Sequence, residues 1–247
     1  MQRPWPHPRI IAHRGGGALA PENTLAGFRK ASSMGFGGVE FDVMLSADGV
    51  PLLIHDETLD RTTNGRGAVS ATPYAKIAGL DAGAWFGPEY RGERAPTFDE
   101  AGRLCLELGL WANVEIKPAE GHERETASIA CATVSKLWAG EPRKPLLSSF
   151  QRACLEVARG AAPGFERGYL TDRIEHGWRD AAESLACVSL HCNQQHLTRA
   201  QAEEVKRAGY WLLCYTVNDA AAAQRLFSWG VDAIFTDRLD LIPPNFR

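Results

Sequence analysis

Short apolar runs alternate with amphipathic stretches along this whole chain. The runs at 10–13, 38–45, 111–116, 146–150, 165–170, 186–191, 210–217 and 231–236 have the length and composition of buried strands. Helical signals fall between most of them. In PENTLAGFRKASSMG, Leu25, Phe28 and Ala31 form one stripe that stops at Gly35. Asn23 and Thr24 are both competent to cap that helix. Thr97 with Glu100, and Thr198 with Gln201, have capping-box spacing ahead of helical periodicity. Asn218 stands where it can cap DAAAAQRLFSWG, which ends at Gly230. Eight strands alternating with helices, with no Pro- or Ser-rich linker, predict parallel βα units. A single α/β domain over 1–247, a (β/α)8 TIM barrel of the usual ~250 residues, accommodates them.

One segment breaks the alternation. After 38–45 comes SADG, a hairpin-type turn, then VPLLIHD, then about forty irregular residues before Thr97. A hairpin joins antiparallel strands, so it cannot link two neighbouring barrel strands. The reading is a return strand over 50–55 above the barrel rim, carrying His55 back toward Asp42. An insertion over about 57–96 then covers the barrel mouth.

Composition changes this picture little and excludes several classes. The chain is 45% hydrophobic and 23% charged, with a net charge of −3 and its Lys and Arg scattered, so no nucleic-acid surface is expected. No apolar run approaches the ~20 residues of a membrane span. The start, MQRPWPHPRI, has no apolar segment behind its charges and does not resemble a signal peptide, which predicts a cytoplasmic protein. Cys105, Cys131, Cys154, Cys187, Cys192 and Cys214 form no C-x-x-C and sit mostly in apolar segments, so free, buried thiols are expected. The tract CVSLHCNQQH mixes Cys and His, but its spacing fits no zinc template and its alternation reads as strand.

The chemistry is concentrated on strands. In VEFDV, Glu40 and Asp42 are two apart and share a face; in NVEIKP, Glu115 and Lys117 do the same. Pointing inward near the carboxyl ends of barrel strands, they converge where barrel enzymes place their chemistry. Three such carboxylates repel one another and call for a cation, and an all-oxygen set suits Mg²⁺ or Ca²⁺. His13 and His55 then become candidates for a general acid and a general base. Arg14 and Lys117 supply the positive charge an anionic substrate such as a phosphate needs. His7, His122, His176 and His196 are read as structural, and His191 is ambiguous. Gly15–Gly17 fit no nucleotide-loop pattern; they let the backbone turn tightly beside His13.

The motifs HRG (13–15), PENT (21–24), EFDV (40–43), DGVPLLIHD (48–56) and EIK (115–117) resemble, in order and spacing, the glycerophosphodiester phosphodiesterase family. The resemblance continues through LDRTTNGRG (59–67), PTFDEA (96–101), SSF (148–150), YTVN (215–218) and FTD (235–237). It implies a (β/α)8 barrel that uses a divalent metal to hydrolyse glycerophosphodiesters to glycerol 3-phosphate and an alcohol. Carried onto this chain, Glu40, Asp42 and Glu115 hold the metal, His13 and His55 form the acid–base pair, and Arg14 and Lys117 contact the phosphate. Tyr215 stands where many members have Trp and would wall the substrate pocket. The expected partner is a small-molecule diester, without nucleic acid or stable membrane association. Two rival readings follow from the same residues. One is a related phosphodiesterase working at a lipid surface through Trp85, Phe86 and Tyr90; the other is a silent binding protein, which would have no use for an acid–base pair.

Overall fold

A computed structural model describes residues 4–246. Among them, eight parallel strands close a barrel in the order β1 (Ile10–Ala12), β9 (Ala233–Thr236), β8 (Trp211–Tyr215), β7 (Ser189–Asn193), β6 (Glu166–Thr171), β5 (Leu146–Ser149), β4 (Trp111–Ile116) and β2 (Gly38–Leu45). The ring is completed by β1 pairing with β2, Ala12 opposite Val39. The outer layer includes α1 (Leu25–Ser33), α3 (Phe98–Leu108), α4 (Glu123–Leu137), α5 (Arg152–Ala161), α6 (Trp178–Ser184), α7 (Arg199–Arg207) and α8 (Ala220–Ser228). This is the (β/α)8 barrel expected from the alternation.

The strand period of two sorts the barrel into an outside and an inside. Val39, Phe41 and Val43 of β2 join Phe28 and Ala31 of α1 and Phe98 of α3 in the core beneath the helices. Ile11, Trp111, Leu146, Leu213 and Phe235 form a second apolar group, filling the lower barrel. On β4 the inward positions run from Trp111 through Asn113 to Glu115, so the lining turns from aromatic to amide to carboxylate toward the mouth. His7 stacks on Trp111 with ring centroids 4.4 Å apart, which explains it structurally. His191 is fully buried against Ser189 Oγ at 2.9 Å, and burial pushes its imidazole down to about 3. All six cysteines are free and buried.

The return strand is present as β3 (Pro51–Leu53), antiparallel to β2 with Val43 opposite Leu53 and Leu45 opposite Pro51. The stretch beyond it is less irregular than its sequence suggests. It contains α2 (Tyr74–Ile77) and two 3-10 turns, and Leu59, Val69 and Ile77 pack against Met44, Leu52 and Ile54 in a small core of their own. Trp85 is 42% exposed, but Phe86 and Tyr90 pack edge to face beside it, and the Tyr90 hydroxyl donates to Leu19 O at 3.1 Å. The aromatic segment is thereby fastened to the turn after β1.

Thr97 and Thr198 form the expected capping boxes. Two other helix starts are decided by tertiary partners, and only the Asn218 cap departs from expectation. Thr24 alone caps α1, accepting from Gly27 N, while Asn23 turns to the barrel mouth. Asp219 caps α8, accepting from Ala222 N at 2.7 Å, because the Asn218 amide is committed to Asp237. Strand ends shift by up to three residues: β7 begins only at Ser189, since Ala186 takes φ 50 and the chain is still turning there.

Candidate active site

The chain leaves β1 by a tight turn. His13 follows the strand, Arg14 has φ 50, and Gly15 and Gly17 have φ 84 and 54. A Cβ on Gly17 would lie 2.4 Å from Asp237 O, so only glycine lets the turn close against the end of β9. The left-handed backbone at Arg14 aims its N–H at Glu40 Oε2, 2.9 Å away, and Arg14 O accepts from Asn23 N at 2.9 Å. A non-glycine residue in this region carries strain that its surroundings must maintain, a recurring mark of functional sites.

Barrel register places Asp42 beside Glu115 and Glu40 beside Asn113. As a result Glu40, Asp42 and Glu115, all buried, each offer an oxygen within 4.8 Å of the others. Burial, then the charges of Asp42 and Glu115, push the Glu40 carboxyl well above the ordinary range. Burial, then Asp42, push Glu115 up to about 8. Burial opposes the ionised form of Asp42 too, but Lys117 and Arg14 outweigh it and hold its carboxyl below the usual range. Lys117 Nζ lies 3.8 Å from Asp42 and 3.9 Å from Glu115, and Arg14 Nε lies 3.7 Å from Asp42. The two side-chain cations therefore favour the ionised form of Asp42, while Glu40 and Glu115 are held toward the neutral form, an arrangement that a further cation would relieve. Glu115 Oε1 is buried with no hydrogen-bond partner, facing its two neighbours. Three hard oxygen donors, one of them unpartnered, suit a Mg²⁺- or Ca²⁺-like ion.

Asn23 was not apparent from the sequence as part of this centre. Its Nδ2 donates to Asp42 Oδ2 at 2.8 Å and its Oδ1 accepts from Asp42 N at 3.1 Å, so one amide orients both side chain and backbone. Its own φ is 54, a conformation asparagine tolerates better than most residues. That tolerance, together with its place just after the glycine turn, is the available sequence signal.

The imidazoles flank the cluster. His13 Nδ1 donates to Asp237 Oδ1 at 2.7 Å, leaving Nε2 facing Glu40 Oε2 at 3.8 Å. His55 Nδ1 donates to Asp56 Oδ1 at 2.7 Å, and Lys117 Nζ hydrogen-bonds to Nε2. An ammonium can only donate, so His55 Nε2 is the unprotonated nitrogen. Burial lowers the His55 imidazole, with Arg14 and Lys117 adding to it, which agrees with that neutral tautomer. Asp237 and Asp56, the two anchors, are further site residues that sequence reasoning did not assign.

His13, Arg14, Glu40, Asp42, His55, Glu115 and Lys117 all line one cavity of about 430 Å³ at the mouth. Tyr215 lines it as well, its ring edge to face with Phe150 at 5.8 Å and its hydroxyl donating to Thr171 O at 2.9 Å. The eight residues that the resemblance assigns to catalysis, metal and substrate thus line a single cavity.

Fold and site together define a class: a (β/α)8-barrel enzyme whose mouth combines a three-carboxylate centre, two anchored imidazoles and two cationic side chains. The profile of the glycerophosphoryl diester phosphodiesterase family matches residues 13–241. A glycerophosphodiester phosphodiesterase of Caldanaerobacter subterraneus subsp. tengcongensis is 35% identical over 92% of this chain and 93% of its own. One from Bacillus subtilis is 29% identical over 94% of this chain and 84% of its own. A solved structure of an Oleispira antarctica phosphodiesterase, in complex with the product sn-glycerol-3-phosphate, matches with TM-score 0.91 and 41% identity over 94% of this chain and 93% of that one. The chain belongs to the glycerophosphoryl diester phosphodiesterase family, whose members are phosphoric diester hydrolases.

Proposed function

We propose that the protein hydrolyses small glycerophosphodiesters, such as glycerophosphocholine and glycerophosphoethanolamine, to sn-glycerol 3-phosphate and an alcohol. The observation that carries this reading is the convergence of His13, His55, Glu40, Asp42 and Glu115 on one cavity, with Arg14 and Lys117 beside them. The product seen in the Oleispira antarctica relative supports the same substrate class. Among the described residues no helix is long and apolar enough to cross a membrane.

Glu40, Asp42 and Glu115 would hold the divalent cation, Mg²⁺ or Ca²⁺. When bound, it neutralises charge on the phosphate and stabilises the charge that develops on phosphorus. Arg14 and Lys117 bind the anionic diester and orient it. One of His13 and His55 takes the proton of the attacking hydroxyl, and the other delivers a proton to the departing alkoxide. Asp237 and Asp56 fix the imidazole tautomers by accepting from each Nδ1, which leaves each Nε2 on the side of the carboxylate centre, His55 Nε2 beside Lys117 Nζ. Tyr215 and Phe150 wall the cavity against the organic part of the substrate. The attacking hydroxyl is a water, which gives sn-glycerol 3-phosphate directly, or the substrate's own C2 hydroxyl, which expels the alcohol to leave a five-membered cyclic phosphate that a water then opens.

The test is turnover of glycerophosphocholine and glycerophosphoethanolamine with Mg²⁺ or Ca²⁺ present, following sn-glycerol 3-phosphate enzymatically. Its accumulation over many turnovers is the expected result. A folded, metal-supplemented protein that releases none from either diester would refute the assignment.

A further inference from the structure

One side chain of the insertion ties together two carboxylates at the edge of the site. Arg61, a few residues beyond β3, donates to both oxygens of Asp56 at 2.6 and 3.0 Å. It also donates to both oxygens of Glu22 at 2.7 and 2.8 Å. One planar guanidinium therefore holds two carboxylates in forked geometry, which a lysine ammonium cannot reproduce. Each carboxylate has a further partner. Asp56 accepts from His55 Nδ1 at 2.7 Å, and Glu22 accepts from Arg14 Nη1 at 2.8 Å. His55 and Arg14 line the central cavity, whereas Arg61 does not. Arg61 thus stands where two branches meet, one leading to an imidazole and the other to a phosphate-facing guanidinium.

We propose that Arg61 is a positioning residue that sets His55 and Arg14 together, so that the insertion completes the site instead of merely covering it. This rests on the function proposed above. A purely structural tie is the alternative, and two observations weigh against it. The Arg61 side chain is 44% exposed, and exposed ion pairs contribute little to stability. The insertion is already fastened by its own apolar core and by the Tyr90–Leu19 hydrogen bond. Without Arg61, Asp56 is free to change rotamer and carry His55 Nδ1 with it. Glu22 then has Arg14 as its sole cation, which draws that guanidinium away from the cavity.

The experiment uses the full chain with Mg²⁺ and two readouts: calorimetric Kd for sn-glycerol 3-phosphate, and kcat and KM on glycerophosphocholine. Arg61→Met should raise Kd about 10-fold and lower kcat by about 10²-fold, the scale of a site misplaced by an ångström. Arg61→Lys keeps the charge without the fork and should recover both only in part. Tyr90→Phe, which loosens the insertion elsewhere, should lower Tm and leave Kd and kcat unchanged. Wild-type Kd and kcat in Arg61→Met overturn the proposal, as does full rescue by lysine. If Arg61→Met does not fold, Arg61→Lys decides: wild-type values there overturn it, and a raised Kd with lowered kcat supports it. If the wild type binds sn-glycerol 3-phosphate but does not turn over the diester, the functional reading falls and the Kd change alone decides the role of Arg61. A wild type that neither binds sn-glycerol 3-phosphate nor turns over the diester overturns both.

Discussion

The two imidazoles at the barrel mouth are held in unlike ways. His13 follows β1, and its anchor Asp237 follows β9. That carboxylate is fixed by the Asn218 amide at 2.9 Å, while Asp237 N donates back to Asn218 Oδ1 at 2.8 Å. Each member of this group sits at the end of a barrel strand, and neutral amides do the holding. His55 arrives on the return strand, and its anchor Asp56 is fixed by Arg61 from the insertion, through ion pairs that reach Glu22 and Arg14. The first half comes with the barrel. The second is assembled from segments added to it, through ion pairs centred on the exposed Arg61. A barrel strand end therefore gives rigid placement directly, whereas an added loop needs a charged clamp to reach the same precision.

The largest expected effect removes either imidazole. His13→Ala and His55→Ala should each lower kcat on glycerophosphocholine by about 10²-fold or more, the scale of losing a positioned acid or base. Steady-state kinetics on folded variants checks this; near wild-type turnover in either would end the symmetry of roles and leave only one active half. Removing the anchors should sharpen the contrast. Asp237→Ala and Asp56→Ala should each cost about 10-fold to 10²-fold, but with different responses to salt. Ionic strength screens exposed ion pairs and spares amide contacts. The residual rate of Asp237→Ala, whose clamp at His55 survives, should fall more steeply with salt than that of Asp56→Ala. Parallel slopes would show that the two anchors do not differ in kind.

The carboxylate centre between the halves gives a stability prediction with a definite sign. Glu115 is pushed up to about 8 and Glu40 is also raised, so in the metal-free protein both prefer to stay protonated. The unfolded chain releases those protons near pH 4.5. Stability from these groups is therefore full below that pH and is lost as pH rises through about 8. Up to about pH 6.5 the buried His191, held neutral in the folded chain, gains stability as pH rises and offsets this loss. Thermal melts of chelated protein should therefore show Tm falling from about pH 6.5 to 8, and saturating Mg²⁺ should remove most of the fall; a Tm that stays flat from pH 6.5 to 8 would contradict it.

The smallest effect separates two adjacent residues. Asp219→Ala should lower stability by about 1 kcal/mol, the usual worth of a helix cap, with kcat unchanged. Asn218→Ala should spare the cap and lower kcat by freeing Asp237. Denaturant melts and turnover of the same two variants check both; a reversed pattern would return the capping role to Asn218.

That pair also shows where the sequence stops being informative. Asn218 and Asp219 are both good caps, and only the tertiary partner at Asp237 decides between them. Asn23 and Thr24 pose the same problem at α1. By contrast, the E-x-D and E-x-K pairs could be placed from sequence, because a strand's period of two fixes which residues share a face whatever the partner strand. His55 could be placed because a hairpin turn permits only an antiparallel return. Asp56 adjoins His55 in the chain, so the HD pair is itself the local signal for that anchor. Asp237 could not be assigned as an anchor, since it meets His13 across 224 residues and nothing local marks the pairing. The Arg61 fork, spanning 39 residues to Glu22, is hidden for the same reason.

The central claim is that Glu40, Asp42 and Glu115 hold a divalent cation without which the diester is not cleaved. The most direct measurement is release of sn-glycerol 3-phosphate from glycerophosphocholine by exhaustively chelated protein as Mg²⁺ or Ca²⁺ is titrated back. Metal content is read by elemental analysis on the same samples. The account predicts no turnover in the chelated protein and full recovery as one cation site per chain fills, with Asp42→Asn shifting the recovery to higher metal concentration. Undiminished turnover by protein shown to contain no metal would contradict it.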